Sequence, residues 1–235
     1  MDSSISVIVP IYHYAKFTEE ALESVVSQSI KPHEIIIVND GCIDNSMEIV
    51  NAFIAKHTEH NWVIVNKKNG GLASARNAGV KIATGKYIMS FDADDIMRTD
   101  CLKEHLKLAA EDTIVTCGLM AFGDQTYTAR PETATLEILL KRNCIYSNSL
   151  VPRKLLLEVG GFDECELMKY GLEDWECWIR MAEKGVKFAT SDYIGLLWRR
   201  HGANMSENLC NPHWAELTGY FKEKHKHLYK KYGLI

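Results

Sequence analysis

Hydrophobic residues follow two alternating patterns along the first half of the chain. Short runs continuous in Val, Ile or Phe are typical of strands covered on both faces. Between them, apolar residues recur every three or four positions, which predicts amphipathic helices. The predicted strands are SVIVPIY, EIIIVND, WVIVNK, KYIMSF and TIVTCGLMAF, and the predicted helices are FTEEALESVVSQS, NSMEIVNAFIAKH, LASARNAGVKIAT and TDCLKEHLKLAAE.

This regular alternation determines the predicted fold class. Repeated β-α units of this length form a largely parallel sheet, because each helix returns the chain to the edge at which the next strand starts. We therefore predict an α/β protein with a Rossmann-like, mostly parallel sheet flanked by helices. Ligands of such sheets bind beyond the C-terminal strand ends. The informative residues there are Tyr12, Asp40 and Asp92–Asp95.

The pattern loosens after about Gly123. TATLEILLKRN and EDWECWIRMAEKG have helical spacing, whereas IYSNSLVPRKLLLEVGGF mixes strand, loop and helix signals. Because no linker, repeat or low-complexity run separates the halves, we expect the second half to pack on the first. The segment from Asn211 onward predicts one terminal helix. Its apolar stripe consists of Trp214, Leu217, Phe221 and Leu228, among Lys222, Lys224, Lys226, Lys230 and Lys231.

The composition is that of an ordinary globular protein. Of 235 residues, 46% are hydrophobic and 25% are charged, and the formal net charge is −4. This mildly acidic balance argues against nucleic acid as the main partner, because phosphate binding needs a basic face. No apolar run approaches the roughly 18 residues of a membrane-spanning helix, and the first residues lack the basic region of a signal peptide.

The seven cysteines are scattered, odd in number and without a C-x-x-C pair. This usage favours a reducing compartment and predicts a cytoplasmic protein. We do not expect a zinc knot, since no paired ligand spacing of the usual kind occurs. The His225-x-His227 pair lies in a lysine-rich stretch and is interpreted as part of a solvated helix face.

The segment KYIMSFDADD ends an apolar strand in three carboxylates, those of Asp92, Asp94 and Asp95. It fits an Asp-rich turn that caps the next helix. It does not fit a calcium loop of the EF-hand type, because Ile96, Met97 and Lys103 stand where that loop needs Asp or Asn, Gly and Glu. Alternation along an extended chain would point Asp92 and Asp94 to one side. Two such oxygen donors suit Mg²⁺ or Mn²⁺ in an open site.

The strand ends taken together resemble those of the family 2 glycosyltransferases, which have the GT-A nucleotide-sugar-binding fold. The likeness covers residues 5 to about 206, and seven motifs occur in the family's order. They are Val7–Tyr12, Ile35–Asp44, Asn69–Gly79, Phe91–Asp95, Gly160–Glu164, Glu173–Arg180 and Arg199–Ser206. The resemblance implies a GT-A domain over residues 1–206, with a nucleotide-binding half to about 123 and an acceptor-side half from about 124, followed by a C-terminal helical extension over residues 207–235.

The resemblance also implies which residues bind the nucleotide. Asp40 corresponds to an acidic residue that contacts the nucleobase, a fitting acceptor for the N3–H of uracil. Pro10 and Tyr12 correspond to the loop against the base. Arg76 follows two glycines into a helix, where it would bind the diphosphate or the base, unless it forms only a surface salt bridge. The remaining implied nucleotide-binding residues are Asn69 and Asp92.

The implied metal ligands are Asp92, Asp94 and His201, with Mn²⁺ or Mg²⁺ as the cofactor; alternatively, His201 is only a hydrogen-bonded loop residue. Asp174 matches the family's catalytic base, which takes the proton of the attacking sugar hydroxyl. The bound metal would stabilise the departing diphosphate, and in-line attack would invert the anomeric centre. The residues expected to face the donor or acceptor sugar are Asp95, Glu173 and Trp175, although tryptophan more often packs in a core.

Three residues depart from the family pattern and leave the choice of nucleobase open. Asn39 stands where Asp is usual, Cys42 where Ser is usual, and His13 where Asn is common. We therefore expect a UDP-sugar or another nucleoside-diphosphate sugar as the donor and a glycan or lipid-linked saccharide as the acceptor.

Two other functions compete with sugar transfer. A sugar nucleotidyltransferase would need a glycine- and lysine-rich phosphate loop after the first strand, but PIYHYAKF contains no glycine. A non-catalytic binding module would not need Asp92, Asp94 and Asp174 together. The terminal helix also has two interpretations: its stripe packs on the catalytic domain, or it leans on the inner face of an anionic membrane.

Overall fold

The computed structural model describes residues 4–235. Its strands are β1 (Ile5–Ile11), β2 (Glu34–Asn39), β3 (Trp62–Asn66), β4 (Tyr87–Ser90), β5 (Ile96–Met97), β6 (Thr113–Gly123), β7 (Tyr127–Ala129), β8 (Leu150–Pro152) and β9 (Lys187–Arg200). Its α-helices are α1 (Ala15–Val26), α2 (Ser46–Lys56), α3 (Leu72–Ile82), α4 (Cys101–Leu106), α5 (Leu136–Leu139), α6 (Arg153–Glu158), α7 (Glu173–Glu183), α8 (Trp214–Lys224) and α9 (Lys226–Lys231).

One sheet in the order β3-β2-β1-β4-β8-β6-β9-β5 organises the fold, and β7 pairs with β6. The α/β class with helices flanking the sheet is confirmed. The β1–β4 region is parallel, as its β-α alternation predicts. The other half is mixed, because β8 runs antiparallel to β4 and β6, and β5 runs antiparallel to β9. The prediction of a mostly parallel sheet still holds, because the longest pairing of this half, that of β6 with β9, is parallel and the antiparallel pairings are short.

The longest strand, β9, escaped the sequence analysis. It runs parallel to β6 over nearly its whole length, but the pairing register shifts twice between Cys117 and Leu119. Such irregularities interrupt the two-residue alternation by which a strand is recognised. The strand matters for the site because it carries the chain from the middle of the sheet to His201.

The core has one layer on each side of the sheet. Side chains of β1 and β2 contribute to both layers because they alternate between the two faces. Helix α3 lies close to β1: a Cβ at Gly79 would approach Ile8 Cγ2 to 2.5 Å. The absence of a side chain at Gly79 allows the helix to pack closely on the sheet. This close packing also positions Arg76, which lies one turn earlier on the same helix.

The terminal segment forms two helices rather than one, because the α-helical run is interrupted at His225. The apolar stripe packs on the rest of the fold: Leu217, Phe221 and Leu228 are buried, and only Trp214 of the stripe is substantially exposed. Phe221 meets the ring of Trp175 edge-on at 5.2 Å between centroids. The packing interpretation is therefore correct, and the stripe is not available to a membrane.

The histidine interpretation was half wrong. His227 is exposed and pairs with Glu183, but His225 is buried and its Nε2 lies 3.1 Å from Glu176 Oε1. Among residues 4–235, no helix combines the length and the hydrophobicity that crossing a bilayer requires.

Candidate active site

A cavity of about 860 Å³ opens at the C-terminal ends of β1, β2 and β4. It is closed on the other side by the start of α7 and by the loop that follows β9. Most of the site residues predicted from the sequence line this cavity. The predicted site residues lining it are Pro10, Tyr12, Asp40, Asn69, Arg76, Asp92, Asp94, Asp95, Glu173 and Asp174.

Asp40 directly follows β2 and is buried beneath the loop 67–71. Its carboxylate accepts from Lys67 Nζ at 2.6 Å, from the backbone N–H groups of Gly70 and Gly71 at 3.0 Å, and from Asn69 Nδ2 at 3.3 Å. A carboxylate offers about four lone-pair positions, so these donors occupy it fully. Direct contact with a nucleobase would have to displace one of them, and Asn69 is the most weakly held.

The base-side wall is formed by β1 and the turn after it. Pro10 is buried at the strand end, whereas Tyr12 is 45% exposed and its ring lies 4.0 Å from that of His13. His13 adopts a positive φ of 59° and its Nδ1 lies 3.7 Å from Asp44 Oδ1. The exposed tyrosine face is available for stacking on a planar ligand.

The three clustered aspartates lie in a turn and not on an extended strand. β4 ends at Ser90, and the N–H of Asp95 bonds back to the carbonyl of Asp92 at 3.3 Å. The argument from strand alternation was therefore wrong, although Asp92 and Asp94 still line the same cavity. Asp95 is buried and its Oδ1 accepts from the Arg199 N–H at 2.9 Å, which fixes the turn to β9.

Arg76 is 1% exposed and lies between two carboxylates. Its guanidinium donates to Asp92 Oδ1 at 2.8 Å and forms a second ion pair with Glu173. These charges raise the pKa of Arg76 against the opposing effect of burial. A surface salt bridge is thus excluded. Arg76 joins the acidic turn to the start of α7, so that the two halves of the cavity share one cation.

Asp174 occupies the first turn of α7 and is half-buried. Its Oδ1 accepts from the N–H of Trp175 at 2.7 Å, while Oδ2 has only a long contact of 3.4 Å with Asn143 Nδ2. The preceding Leu172 has a left-handed φ of 69°. Such strain in a non-glycine residue is common at functional sites, and here it aims the helix start into the cavity.

Five carboxylates crowd the site, whereas the buried guanidinium of Arg76 pairs with only two of them, Asp92 and Glu173. Burial raises the pKa of Glu173 to about 7, even though Arg76 opposes the shift. Burial also raises the pKa of Asp174, again against Arg76. The pKa of Asp94 is raised by burial and by Asp92, and that of Asp95 is raised well above its usual range by burial and by Asp94.

His201 does not line the cavity itself but lies directly behind Asp94, with Nε2 3.0 Å from Asp94 Oδ2. Its Nδ1 accepts from the N–H of Ala203 at 3.2 Å. Because Nδ1 is an acceptor, the neutral ring carries its proton on Nε2 and donates it to Asp94. The prediction that His201 and Asp94 belong together agrees with this geometry.

The prediction that Trp175 faces a sugar was wrong. The side chain is 2% exposed, its Nε1 donates to the Leu139 carbonyl at 2.6 Å, and it packs against Phe221. The helical period explains the outcome: Trp175 is one position past Asp174, and side chains one apart on a helix face different directions.

Several cavity residues were not found from the sequence. Ser147 donates to Asp92 Oδ2 at 3.2 Å, and Asn143 approaches Asp174. Both come from the irregular segment between α5 and β8, where short polar residues carry no distinctive pattern. The apolar wall formed by Leu119, Ile145, Tyr146, Leu196 and Trp198 was missed together with β9.

The chain is similar to several known glycosyltransferases. It is 39% identical over 103 residues to glycosyltransferase GlyG of Streptococcus pneumoniae serotype 4, a match that covers 44% of this chain and 34% of GlyG. The chain thus spans about a third of that relative's length. The structure of S. aureus TarS 1–349 in complex with UDP-GlcNAc superposes with a TM-score of 0.72 at 22% identity, over 87% of this chain and 61% of TarS.

A second solved structure is similar over more of the chain. The mannosyltransferase PcManGT from Pyrobaculum calidifontis, in complex with GDP-Man and Mn²⁺, gives a TM-score of 0.70 at 19% identity, over 91% of this chain and 63% of that one. These two likenesses support the GT-A fold. The sequence model described as glycosyl transferase family 2 matches residues 6–163, which include both the acidic turn and the loop that holds Asp40. This chain therefore belongs to glycosyl transferase family 2.

Proposed function

We propose that this protein transfers a sugar from a nucleoside-diphosphate sugar to a hydroxyl of a saccharide acceptor, with inversion and with help from Mn²⁺ or Mg²⁺. The observation that carries the proposal is the shared cavity in which the acidic turn, at Asp92 and Asp94, is joined through Arg76 to the turn that carries Asp174. This arrangement offers a cation site and a proton acceptor to one reacting centre.

The charge of the cavity supports a divalent cation. A diphosphate is anionic, and five carboxylates against one buried guanidinium would repel it. The oxygens of Asp92 and Asp94 are hard ligands of the kind that Mg²⁺ and Mn²⁺ prefer. When bound, the metal would neutralise the diphosphate as it leaves. Burial and the neighbouring Asp92 raise the pKa of Asp94, and a cation bound to this carboxylate would oppose that shift.

His201 can contribute in two ways. If His201 binds the metal through Nε2, the ring proton has to move to Nδ1, which now accepts a hydrogen bond from the N–H of Ala203. As a hydrogen-bond donor, it would keep the present tautomer and hold Asp94 in position. We favour the ligand role, because the neutral imidazole of histidine is the commonest metal ligand among side chains and the contact that it would give up is long at 3.2 Å.

Asp174 is the proposed general base. A sugar hydroxyl is a poor nucleophile, and a carboxylate that removes its proton during attack assists the transfer. Oδ2 is the available oxygen, since its contact with Asn143 is weak. The raised pKa of Asp174 strengthens it as a base. Glu173 is tied to Arg76 and is better suited to orienting that cation, while Asp95 supports the acidic turn.

The nucleotide is proposed to lie between Tyr12 and the loop 67–71, with UDP favoured. Asp40 would act chiefly by holding Asn69 and the glycine backbone in place, and would accept from the base once Asn69 turns away. The named relatives differ here, since TarS was solved with UDP-GlcNAc and PcManGT with GDP-Man. Asn39 bonds to Asn66 and Cys42 in this chain and does not decide between bases.

Hydrolysis and transfer assays with a panel of nucleotide-sugars test this proposal. Incubation with UDP-, GDP- and dTDP-sugars, with and without Mn²⁺, should release a nucleoside diphosphate from one class of donor. Release of pyrophosphate from a sugar phosphate and a nucleoside triphosphate would instead support a nucleotidyltransferase. Tight binding without turnover in the presence of many acceptor saccharides would support a binding module. Inversion is checked by the anomeric configuration of the product.

The remaining predictions about organisation stay proposals. We keep the division into residues 1–206 and a helical extension of residues 207–235, but the extension shares the core of the catalytic domain through Leu217 and Phe221. The cytoplasmic location and the saccharide acceptor also stay proposals.

A further inference from the structure

Three potential metal ligands meet in the core outside the candidate active site. Cys101 and His105 lie one turn apart on α4, and Cys117 lies on β6. All three side chains are fully buried, and one ligand atom from each lies within 4.8 Å of the others. None of them lines the nucleotide-sugar cavity. The cluster therefore needs an explanation of its own.

The hydrogen bonds of His105 leave one ring nitrogen free for a ligand. Nδ1 lies 2.7 Å from the carbonyl oxygen of Cys101, so it carries the ring proton and donates it. Nε2 is buried and has no hydrogen-bond partner among the described residues. A buried, unpartnered acceptor is costly. Metal-binding histidines commonly donate their second nitrogen to a backbone carbonyl in this way, which fixes the tautomer.

The two sulfurs converge on the same point of β9. A Cβ added at Gly195 would lie 2.7 Å from Cys117 Sγ and 2.8 Å from Cys101 Sγ, so only glycine leaves room for both. Asn148 lies just before β8, and its Nδ2 is 3.8 Å from Cys117 Sγ. Its Oδ1 is also buried and has no hydrogen-bond partner within residues 4–235. Rotation of this amide would bring a fourth donor oxygen to the cluster.

From this geometry we infer that Cys101, His105 and Cys117 bind one structural Zn²⁺, with the Asn148 amide oxygen as the fourth donor. Binding converts both thiols to thiolates and releases two protons, while bonds form from zinc to the two Sγ atoms and to Nε2. A divalent ion with two thiolates and a neutral imidazole has no net charge, which suits a fully buried site. A monovalent soft ion would leave a buried negative charge.

A zinc ion here would stabilise the segments that flank the acidic turn. Helix α4 begins six residues after Asp95, and β6 pairs with β9, the strand that leads to Arg199 and His201. The ion would thus tie the helix that follows the acidic turn to the strand beside β9. The sequence analysis missed the site because Cys101 and His105 are four apart on a helix, whereas Cys117 comes from a strand.

Metal analysis of the purified full chain tests the inference. After passage over a chelating resin, wild-type protein should retain one equivalent of zinc per chain, and Cys117→Ser should retain less than about a tenth of that. Cys165→Ser is the matched control, since Cys165 is a half-buried free cysteine outside the cluster. Asp94→Ala should also keep its zinc. Loss of zinc in Asp94→Ala would place the metal in the active site and overturn the inference.

Cobalt substitution tests the site in the wild-type protein, so its outcome does not depend on whether Cys117→Ser folds. Wild-type protein refolded with Co²⁺ should show thiolate-to-cobalt charge-transfer absorption and tetrahedral ligand-field bands, and titration should end at one equivalent. Zinc should displace this signal. Absence of the bands, or an intact mass two hydrogens lower that marks a Cys101–Cys117 disulfide, would also overturn the inference.

Discussion

Helix α7 carries two kinds of carboxylate within one turn. Glu173 and Asp174 at its start have raised pKa values, because burial outweighs the single guanidinium of Arg76. Glu176, two residues after Asp174, is also buried, but its pKa is lowered to about 2. Burial opposes ionisation there, and hydrogen bonds from His225 and Arg180 outweigh that effect. Burial alone therefore does not distinguish them. What differs is the supply of cations.

The groups that donate hydrogen bonds to Glu176 come from the C-terminal extension and from its own helix. Lys224 Nζ lies 2.7 Å from Oε1, His225 Nε2 lies 3.1 Å from the same oxygen, and Arg180 Nη2 lies 2.7 Å from Oε2. Lys224 also reaches Asp163 at 2.6 Å. A carboxylate satisfied on all sides has a structural use, whereas one left short of partners is suited to bind a cation or a proton.

The largest expected effect concerns the cation proposed to bind at the acidic turn. Asp94→Ala should reduce transfer by at least about 10³-fold, because stabilisation of a leaving diphosphate by a metal contributes several kcal/mol. Steady-state rates with and without Mn²⁺ measure the loss, and Asp192→Ala, at a fully exposed position, is the control. Full wild-type activity in excess chelator would refute the metal requirement.

The next effect tests the other end of the cavity. Asp174→Asn preserves the shape of the side chain but removes proton acceptance, so we expect kcat to fall by about 10²- to 10⁴-fold while donor binding survives. Rapid-quench kinetics and calorimetric titration with the donor nucleotide separate the two quantities. Asp192→Asn provides the same chemical change at the surface. A loss below about tenfold, with chemistry rate-limiting, would assign the base to another residue.

Glu176→Gln should leave the chemistry nearly intact and lower stability instead. A folded pKa of about 2 against a usual value near 4.5 corresponds to about 3 kcal/mol of stability at neutral pH. Because the folded pKa is depressed, this contribution is present above about pH 4.5 and is lost as pH falls toward 2. Urea unfolding at pH 7 and pH 3.5 should therefore show a difference between wild type and variant that shrinks in acid.

Glu183→Gln is the matched control for that experiment, since Glu183 lies on the same helix and pairs with the exposed His227. It should change the free energy of unfolding by less than about 0.5 kcal/mol. If Glu176→Gln proves as mild as this control, the extension does not hold α7 through its charges.

The smallest expected effect concerns the pKa of Asp174, which is raised whereas that of Glu176 is lowered. Asn143 donates weakly to Asp174 Oδ2, and this hydrogen bond stabilises the charged form. Asn143→Ala should therefore raise the pKa of Asp174 further and move the acid limb of kcat/KM to higher pH by on the order of 0.5 unit, leaving the plateau unchanged. Profiles between pH 5 and 9 measure the shift. A limb that moves to lower pH would contradict the proposed base.

The sequence was most informative where local patterns carry the structure. Continuous Val and Ile runs predicted β1 and β2 nearly to the residue. The acidic motif and Asp174 were found because carboxylates at strand and helix ends are conspicuous in a sequence. The second half was harder, since the register shifts in β6 and the length of β9 depend on pairing between distant segments.

The sequence by itself determined the β-α order, the family motifs and the carboxylates of the site, because these depend on neighbouring residues. Only the tertiary structure decided the partners of those groups. It buried Arg76 between Asp92 and Glu173, turned Trp175 into the core and gave Glu176 the cations of the C-terminal extension. Charge and burial depend on side chains far apart in the chain, which packing brings together.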